Sequence, residues 1–208
     1  MTRARSFVVA VGLLLGVVAT GAQSPTLSVE LAHNSPNEQR AKDQLERLLK
    51  EYDLSRWIFT KKIRIEQFVQ PHSHPVLTLN TRSVTNDRRV LANFVHEQIH
   101  WFLTGKSGNT KKAIAGVKRL YPDAPDTPAK GGAANRESTY LHLIVCQLEF
   151  ESIRTLLGAE QAAAVIRETI TDGQSGLGYY WIYQKVLDDQ EQLSGLIRQH
   201  ELTLPGMP

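Results

Sequence analysis

The chain has 208 residues, of which 24 are Lys or Arg and 21 are Asp or Glu, and its formal net charge at pH 7 is +3. So small a charge imbalance gives no electrostatic argument for nucleic-acid binding, and we expect no nucleic-acid partner. The length suits one domain with an adequate hydrophobic core. Cys146 is the only cysteine, which excludes an intrachain disulfide.

The first residues have the composition of a secretory signal peptide. Arg3 and Arg5 precede an apolar stretch at residues 7–18, which small residues follow. This order predicts a signal peptide over residues 1–22 and an exported domain over residues 23–208, located in the periplasm or secreted. The apolar stretch is short for a membrane span, so stable membrane insertion after cleavage is not expected. An uncleaved anchor is the alternative.

One helix and two strands are predicted in the first part of the exported chain. Ser35 and Glu38, with a proline directly after the serine, form a capping-box pattern that predicts an amphipathic helix over about residues 36–52. Residues 62–68 and 76–81 alternate apolar and polar side chains, as half-buried strands do. Because a proline-bounded turn separates these two segments, they are predicted to form a hairpin or to be neighbouring strands.

The rest of the chain is predicted to be mostly helical. Apolar side chains recur at helical spacing after Asp87, which can cap a helix that ends before Gly105. A long loop is predicted at residues 122–134, and further helices are predicted over about residues 109–120, 136–157, 159–170, 179–186 and 193–197. The predicted fold is α+β: a mostly helical single domain with a small β-sheet preceding the helix that begins near Asp87.

Residues 96–100 read His-Glu-Gln-Ile-His, an H-E-x-x-H motif in the middle of that helix. Two histidines four positions apart on a helix project from one face, close enough to bind one metal ion. The motif predicts His96 and His100 as ligands of a zinc ion, Zn²⁺. Glu97 is predicted to be the catalytic base that accepts a proton from a water molecule activated by the metal.

With this motif, and with the order strand, motif helix, loop and downstream helix over about residues 62–157, the chain resembles the zincin superfamily of metallopeptidases. No H-x-x-G-x-x-H continuation follows His100, so the resemblance is to the gluzincin branch rather than to the metzincins. In zincins the strand before the active-site helix typically binds the substrate in an extended form. The resemblance implies this role for residues 76–81, with Leu77 and Leu79 as substrate-binding residues.

Catalytic zinc usually has three protein ligands, and the predicted helix over residues 136–157 offers three candidates for the third. His142 is favoured because it interrupts an otherwise apolar helical surface, where an unpaired polar group is costly. Glu137 is second, since a Glu on a downstream helix completes the site in the gluzincin branch. Glu149, seven residues after His142 on the same helical face, is third. A candidate that is not a ligand can hydrogen-bond one.

Other residues have weaker claims to a role in such a site. His72 and His74 flank Ser73 in the turn before residues 76–81, where either can contact substrate or stabilise a developing oxyanion. An exposed position without a role is the favoured interpretation of these two histidines. Several aromatic residues could stabilise a tetrahedral intermediate, although a structural role is favoured for them: Tyr140, Tyr179, Tyr180, Trp181 and Tyr183.

These patterns together predict an exported zinc-dependent hydrolase, with a peptidase that acts on peptide or protein substrates as the favoured interpretation. The alternative is a non-catalytic metal-binding or scaffold protein that retains a zincin-like fold. An intact Glu97 argues against that alternative, because a purely structural metal site needs no base. A third interpretation is a chance motif whose two imidazoles face solvent on an ordinary helix.

Overall fold

A computed structural model of the chain describes residues 27–206, so the predicted signal peptide over residues 1–22 lies outside the described part. Within this part, three short strands form one parallel sheet in the order β1-β2-β3. The strands are β1 (Ser28–Leu31), β2 (Lys62–Ile65) and β3 (Leu77–Leu79). None of the helices in residues 27–206 is long and apolar enough to cross a membrane.

Seven α-helices in the same part of the chain confirm a mostly helical single domain with a small sheet. They are α1 (Pro36–Glu51), α2 (Asp87–Gly105), α3 (Ser107–Leu120), α4 (Arg136–Leu157), α5 (Ala159–Asp172), α6 (Tyr180–Asp188) and α7 (Gln190–Gln199). A short π-helical turn, Gly173–Leu177, connects α5 to the segment before α6. The sheet precedes α2 in the chain, as predicted.

The sheet differs from the prediction in direction and in extent. β2 and β3 run parallel, with Ile63 opposite Leu77, so of the two predicted arrangements the hairpin is wrong and the pair of neighbouring strands is confirmed. The chain between them crosses back before β3 begins, as a parallel pairing requires. β1 was not predicted from the sequence. Two of its four residues are exposed and the other two are half-buried, and its pairing with β2 joins residues distant in sequence, such as Val29 and Ile63.

The capping box at the start of α1 is confirmed. The Ser35 hydroxyl accepts a hydrogen bond from the Glu38 backbone N–H at 3.2 Å, and the Glu38 carboxylate accepts one from the Ser35 N–H at 3.2 Å. The same buried carboxylate also accepts from the backbone and ring of His33 and from the backbone N–H of Gln67. Burial alone would raise the pKa of Glu38, but these hydrogen bonds lower it to about 2.

The first residue of α2 has a different role from the one predicted. Asn86, not Asp87, is the N-cap, and its side-chain oxygen accepts from the Arg89 N–H at 3.2 Å. Asp87 is already helical, and its carboxylate instead accepts from Arg47 at 2.6 Å and from Gln44 at 2.8 Å. These two bonds join the start of α2 to α1.

The central helix of the domain is α4, which packs against α2, α3, α5, α6 and α7. Its apolar side chains form much of the core. Because so little of α4 faces water, each polar side chain within it needs a hydrogen-bond partner. His142, Gln147 and Glu149 are three such buried polar residues. Two of them lie where α4 meets α2.

Candidate metal centre

Two helices bring three histidines together. His96 and His100 project from one face of α2, with ring centroids 5.1 Å apart, and His142 of α4 lies against both, at 5.6 and 5.0 Å. Each histidine offers a ring nitrogen, and these three atoms lie within 4.8 Å of one another. A zinc ion holds nitrogen ligands at about 2.0–2.1 Å in a tetrahedron. Three nitrogens this close together are a candidate set of ligands for one ion.

Hydrogen bonds determine which ring nitrogens are available. His96 Nδ1 lies 2.8 Å from the Glu149 carboxylate, to which it donates, and this leaves Nε2 as the free nitrogen. His142 Nδ1 donates to the Ser138 carbonyl at 2.7 Å, one turn earlier on α4. Its Nε2 therefore carries a lone pair. Metal-binding histidines are oriented in this way, with the second ring N–H held by a carboxylate or a carbonyl.

The electrostatics of the three imidazoles differ. Burial and the charges of neighbouring histidines lower the pKa of His100 to about 2 and that of His142 to about 3, so both are neutral at pH 7. Burial also disfavours the charged form of His96, but hydrogen bonds to Cys146 and Glu149 raise its pKa well above the usual value. The carboxylate of Glu149 is thus the main negative partner of the cluster. A cation bound to the three rings would face this charge across His96.

Glu97 follows His96 on α2, and its side chain is almost fully buried. Burial raises the pKa of its carboxyl group, and the positive charges of His96 and His72 offset this only in part. A carboxylate with a raised pKa in a buried site accepts a proton more readily than one in water. Burial and the raised pKa agree with the predicted role of Glu97 as a general base, which stays a prediction.

Behind the three histidines lies a second group of buried polar side chains. Glu149 Oε2 accepts both the His96 ring N–H and the Tyr183 hydroxyl, the latter at 2.7 Å. His96, Cys146 and Glu149 also bring their ligand atoms within 4.8 Å of one another. We interpret this group as support for His96, because Glu149 engages the ring nitrogen that the histidine cluster leaves free. Nothing in the sequence pairs Tyr183 with Glu149, since α6 and α4 meet only in the folded chain.

The hydroxyl of Tyr179 lies beside the three histidines of the candidate metal centre. Its O–H donates to His142 Nε2 at 3.0 Å, the ring nitrogen that does not bond to the Ser138 carbonyl. The residue has a left-handed backbone (φ +65°), and its N–H donates to the Gly132 carbonyl in the loop before α4. Burial raises the pKa of the hydroxyl, so it remains protonated as a hydrogen-bond donor. Sequence reasoning favoured a structural role for this tyrosine.

Other predicted site residues lie elsewhere. The Glu137 side chain is 70% exposed and pairs with Lys118 at 2.7 Å, outside the cluster. Leu77 and Leu79 are buried in the core, so their side chains are not available to a substrate. Glu149 approaches His96 as a hydrogen-bond acceptor. Of the three candidates for a third ligand, His142 is the one that lies against both histidines of the motif.

His72 and His74 are exposed and lie in a turn that is anchored beside the centre. The backbone N–H and carbonyl of His72 both bond to Thr78 of β3, at 3.0 and 2.7 Å. The His74 ring stacks on Trp101, the residue after His100, at a centroid distance of 4.2 Å. Trp101 Nε1 donates to the Ser73 carbonyl at 2.8 Å. The turn is therefore held against the same helix that carries the motif.

No family model, no curated protein and no solved structure matches this chain. The resemblance to zincins therefore rests on the motif and the order of the elements. What can be said of function depends on the geometry of the centre itself.

Proposed function

We propose that the protein is a zinc-dependent hydrolase, of a zincin-like and peptidase type, that works after export to the periplasm or the outside of the cell. In this proposal His96, His100 and His142 hold the metal and Glu97 is the general base. The observation that carries it is the meeting of His142, from α4, with both histidines of the motif. A chance motif on a solvent-facing helix would have no such partner.

The donor set fits zinc on chemical grounds. Three imidazole ligands with no thiolate are a known catalytic arrangement for this ion, which leaves a fourth position for a reactant. Two of the three rings already have their second nitrogen engaged, by Glu149 and by the Ser138 carbonyl. This support favours binding, because less rotational freedom is lost when the metal is held.

In the proposed hydrolysis, the metal ion and the side chains of the protein make different contributions. Zinc at this site would supply Lewis-acid activation of water and of the scissile carbonyl. Glu97 takes a proton from the attacking water, whose oxygen bonds to the carbonyl carbon. As the C–N bond breaks, Glu97 returns the proton to the leaving amine. If a metal ion takes the lone pair of His142 Nε2, the Tyr179 hydroxyl loses this acceptor, and in this proposal it then donates to the oxyanion.

Metal analysis combined with one substitution tests the proposal. Purified wild-type protein and Glu97→Gln should each contain about one zinc per chain, because Glu97 is not a ligand. Hydrolysis of a broad peptide library should be lost in Glu97→Gln alone. Glu160→Gln, at an exposed position in α5, is the matched control and should keep both properties. Absence of bound zinc in wild-type protein after gentle purification would contradict the proposal.

The second candidate is a non-catalytic metal-binding or scaffold protein with the same zincin-like arrangement. The observation in its favour is the outer edge of β3, where Thr78 is already bonded to His72 and cannot take up an extended peptide. This candidate predicts stoichiometric zinc in the wild-type protein with no turnover on any peptide of the library. The peptide assay above separates the two.

A further inference from the structure

The sheet edge beside the metal centre is closed by residues 70–75, here called the edge segment. His72, in the middle of this segment, runs antiparallel to β3 and bonds both backbone polar groups of Thr78. Leu77 and Leu79 direct their backbone towards β2, on the other side of the strand. The free edge that an extended substrate would need on β3 is therefore occupied by the chain itself.

The outer side of the edge segment is a poor template for another strand. Pro71 and Pro75 have no backbone N–H, and the Ser73 carbonyl accepts from Trp101 at 2.8 Å. Prolines and occupied carbonyls are the features that prevent a sheet edge from adding a further strand. A substrate at this edge must be recognised by side chains.

The side chains available there are two imidazoles. His72 Nδ1 donates to the Gln70 carbonyl at 3.0 Å, and His74 Nδ1 lies 2.8 Å from the Ser73 hydroxyl. In each ring Nε2 remains free, and both side chains are exposed. The stack of His74 on Trp101 places its ring beside the turn of α2 that carries His100.

A permanently charged cation, Arg82, lies beside the edge segment. Residues 67–86 contain Arg82, His72 and His74 but no Asp or Glu. Arg82 reaches the edge segment, where its guanidinium donates to the Gln70 side chain at 3.3 Å. The positive charge of the Arg82 guanidinium attracts an anionic group towards the edge segment.

We infer that the centre takes short substrates with a free carboxylate next to the scissile bond, and that His72 and His74 bind this carboxylate. This inference rests on the proposed hydrolase function, because it assigns a substrate class to the same centre. It excludes extended internal segments of proteins, which need the edge that the chain occupies. The preferred substrates are thus the carboxyl-terminal ends of short peptides.

A binding experiment tests the inference without turnover. Zinc-loaded Glu97→Gln is titrated by calorimetry with N-acetyl-trialanine as the free acid and as the C-terminal amide. We expect the acid to bind about tenfold tighter, as a charge-assisted hydrogen bond would provide. With His72→Gln and His74→Gln added, this ratio should fall to about one. Adding His200→Gln instead, outside the edge segment, should leave the ratio unchanged.

Two outcomes of this titration would overturn the inference. Equal binding of acid and amide would exclude carboxylate recognition. A ratio that persists without His72 and His74 would mean that the carboxylate contacts the metal or another group. Zinc content and thermal unfolding of each variant are measured in parallel to recognise a misfolded variant. If the double variant of His72 and His74 is misfolded, the titration is repeated with each single substitution.

A turnover experiment separates this inference from the proposed function. Zinc-loaded wild-type protein should hydrolyse the trialanine acid faster than its amide and should leave interior bonds of a long unstructured peptide intact. Cleavage of interior bonds at a similar rate would overturn the inference while supporting the hydrolase. Failure to hydrolyse any peptide, with the binding ratio intact, would overturn the hydrolase and support the carboxylate site.

Discussion

Two buried carboxylates, Glu38 at the start of α1 and Glu97 in α2, have opposite environments. Glu38 accepts four hydrogen bonds from neighbouring backbone and histidine groups, and these lower its pKa to about 2 in spite of burial. Burial raises the pKa of Glu97, and the positive charges of His96 and His72 offset the rise only in part. The environment of Glu38 therefore stabilises the ionised carboxylate, whereas the environment of Glu97 favours binding of a proton.

The difference teaches that burial alone does not mark a functional carboxylate. Glu38 joins α1 to the chain that precedes it and to the chain that follows β2, and its charge is satisfied by the hydrogen-bond donors of these segments. Glu97 lies next to His96 of the histidine cluster and has no comparable set of donors within residues 27–206, in agreement with the proposed role as a base rather than with that of a structural ion. Substitutions at the two positions should therefore have opposite effects.

The largest expected effect is on turnover. Glu97→Gln should lower kcat by about a thousandfold, the usual cost of removing a general base, without lowering the stability of the protein. Glu38→Gln should keep kcat but lower the free energy of unfolding by about 2 kcal/mol, because a buried ion and its hydrogen bonds are lost. Steady-state kinetics and urea denaturation of both variants provide the comparison. Loss of turnover in Glu38→Gln, with the fold intact, would contradict it.

Substitution of a third buried carboxylate, Glu149, is expected to change the affinity for zinc. Glu149→Gln replaces the charged acceptor of the His96 ring N–H and should weaken zinc binding by about 10- to 100-fold. Tyr183→Phe removes the second hydrogen bond to the same oxygen and should have a smaller effect in the same direction. Competition with a chromogenic chelator measures both. Unchanged affinity in Glu149→Gln would mean that this carboxylate does not support the metal centre.

The smallest expected effect is the pH dependence that Glu38 contributes to stability. Its pKa is about 2 in the folded protein, below the value of 4.5 for a free side chain. Its contribution is therefore complete above about pH 4.5 and is lost as the pH falls towards 2. The difference in unfolding free energy between the wild type and Glu38→Gln should shrink over this window. A difference that stays constant down to pH 2.5 would exclude the hydrogen-bonded ion.

Local patterns in the sequence predicted the helices well. The capping box places the start of α1 at Pro36, and α4 spans residues 136–157 as its apolar run indicated. The direction of β3 relative to β2 was not predictable from local patterns, because it depends on the path that the connecting chain takes between the two strands. β1 was missed for a similar reason: it is held by strand pairing with residues more than thirty positions away.

The site was predictable where it depends on one helix and not where it depends on several. The spacing of His96 and His100 is a property of α2 alone, and it indicates that both face one side. His142 was favoured over Glu137 because it interrupts an apolar face, and the structure places it against the motif. The contacts of Tyr179 with His142 and of Tyr183 with Glu149 join α4 to the start of α6 and to α6 itself. Helical periodicity carries no information about such long-range pairs.

The central claim is that His96, His100 and His142 together hold a zinc ion. Anomalous diffraction at the zinc edge, from crystals of protein purified without chelators, tests it most directly. We predict one peak, about 2.0–2.1 Å from a ring nitrogen of each of the three histidines, with Glu97 outside the coordination sphere. A peak coordinated by Glu137, or by Cys146 and Glu149 without His100 and His142, would contradict the claim.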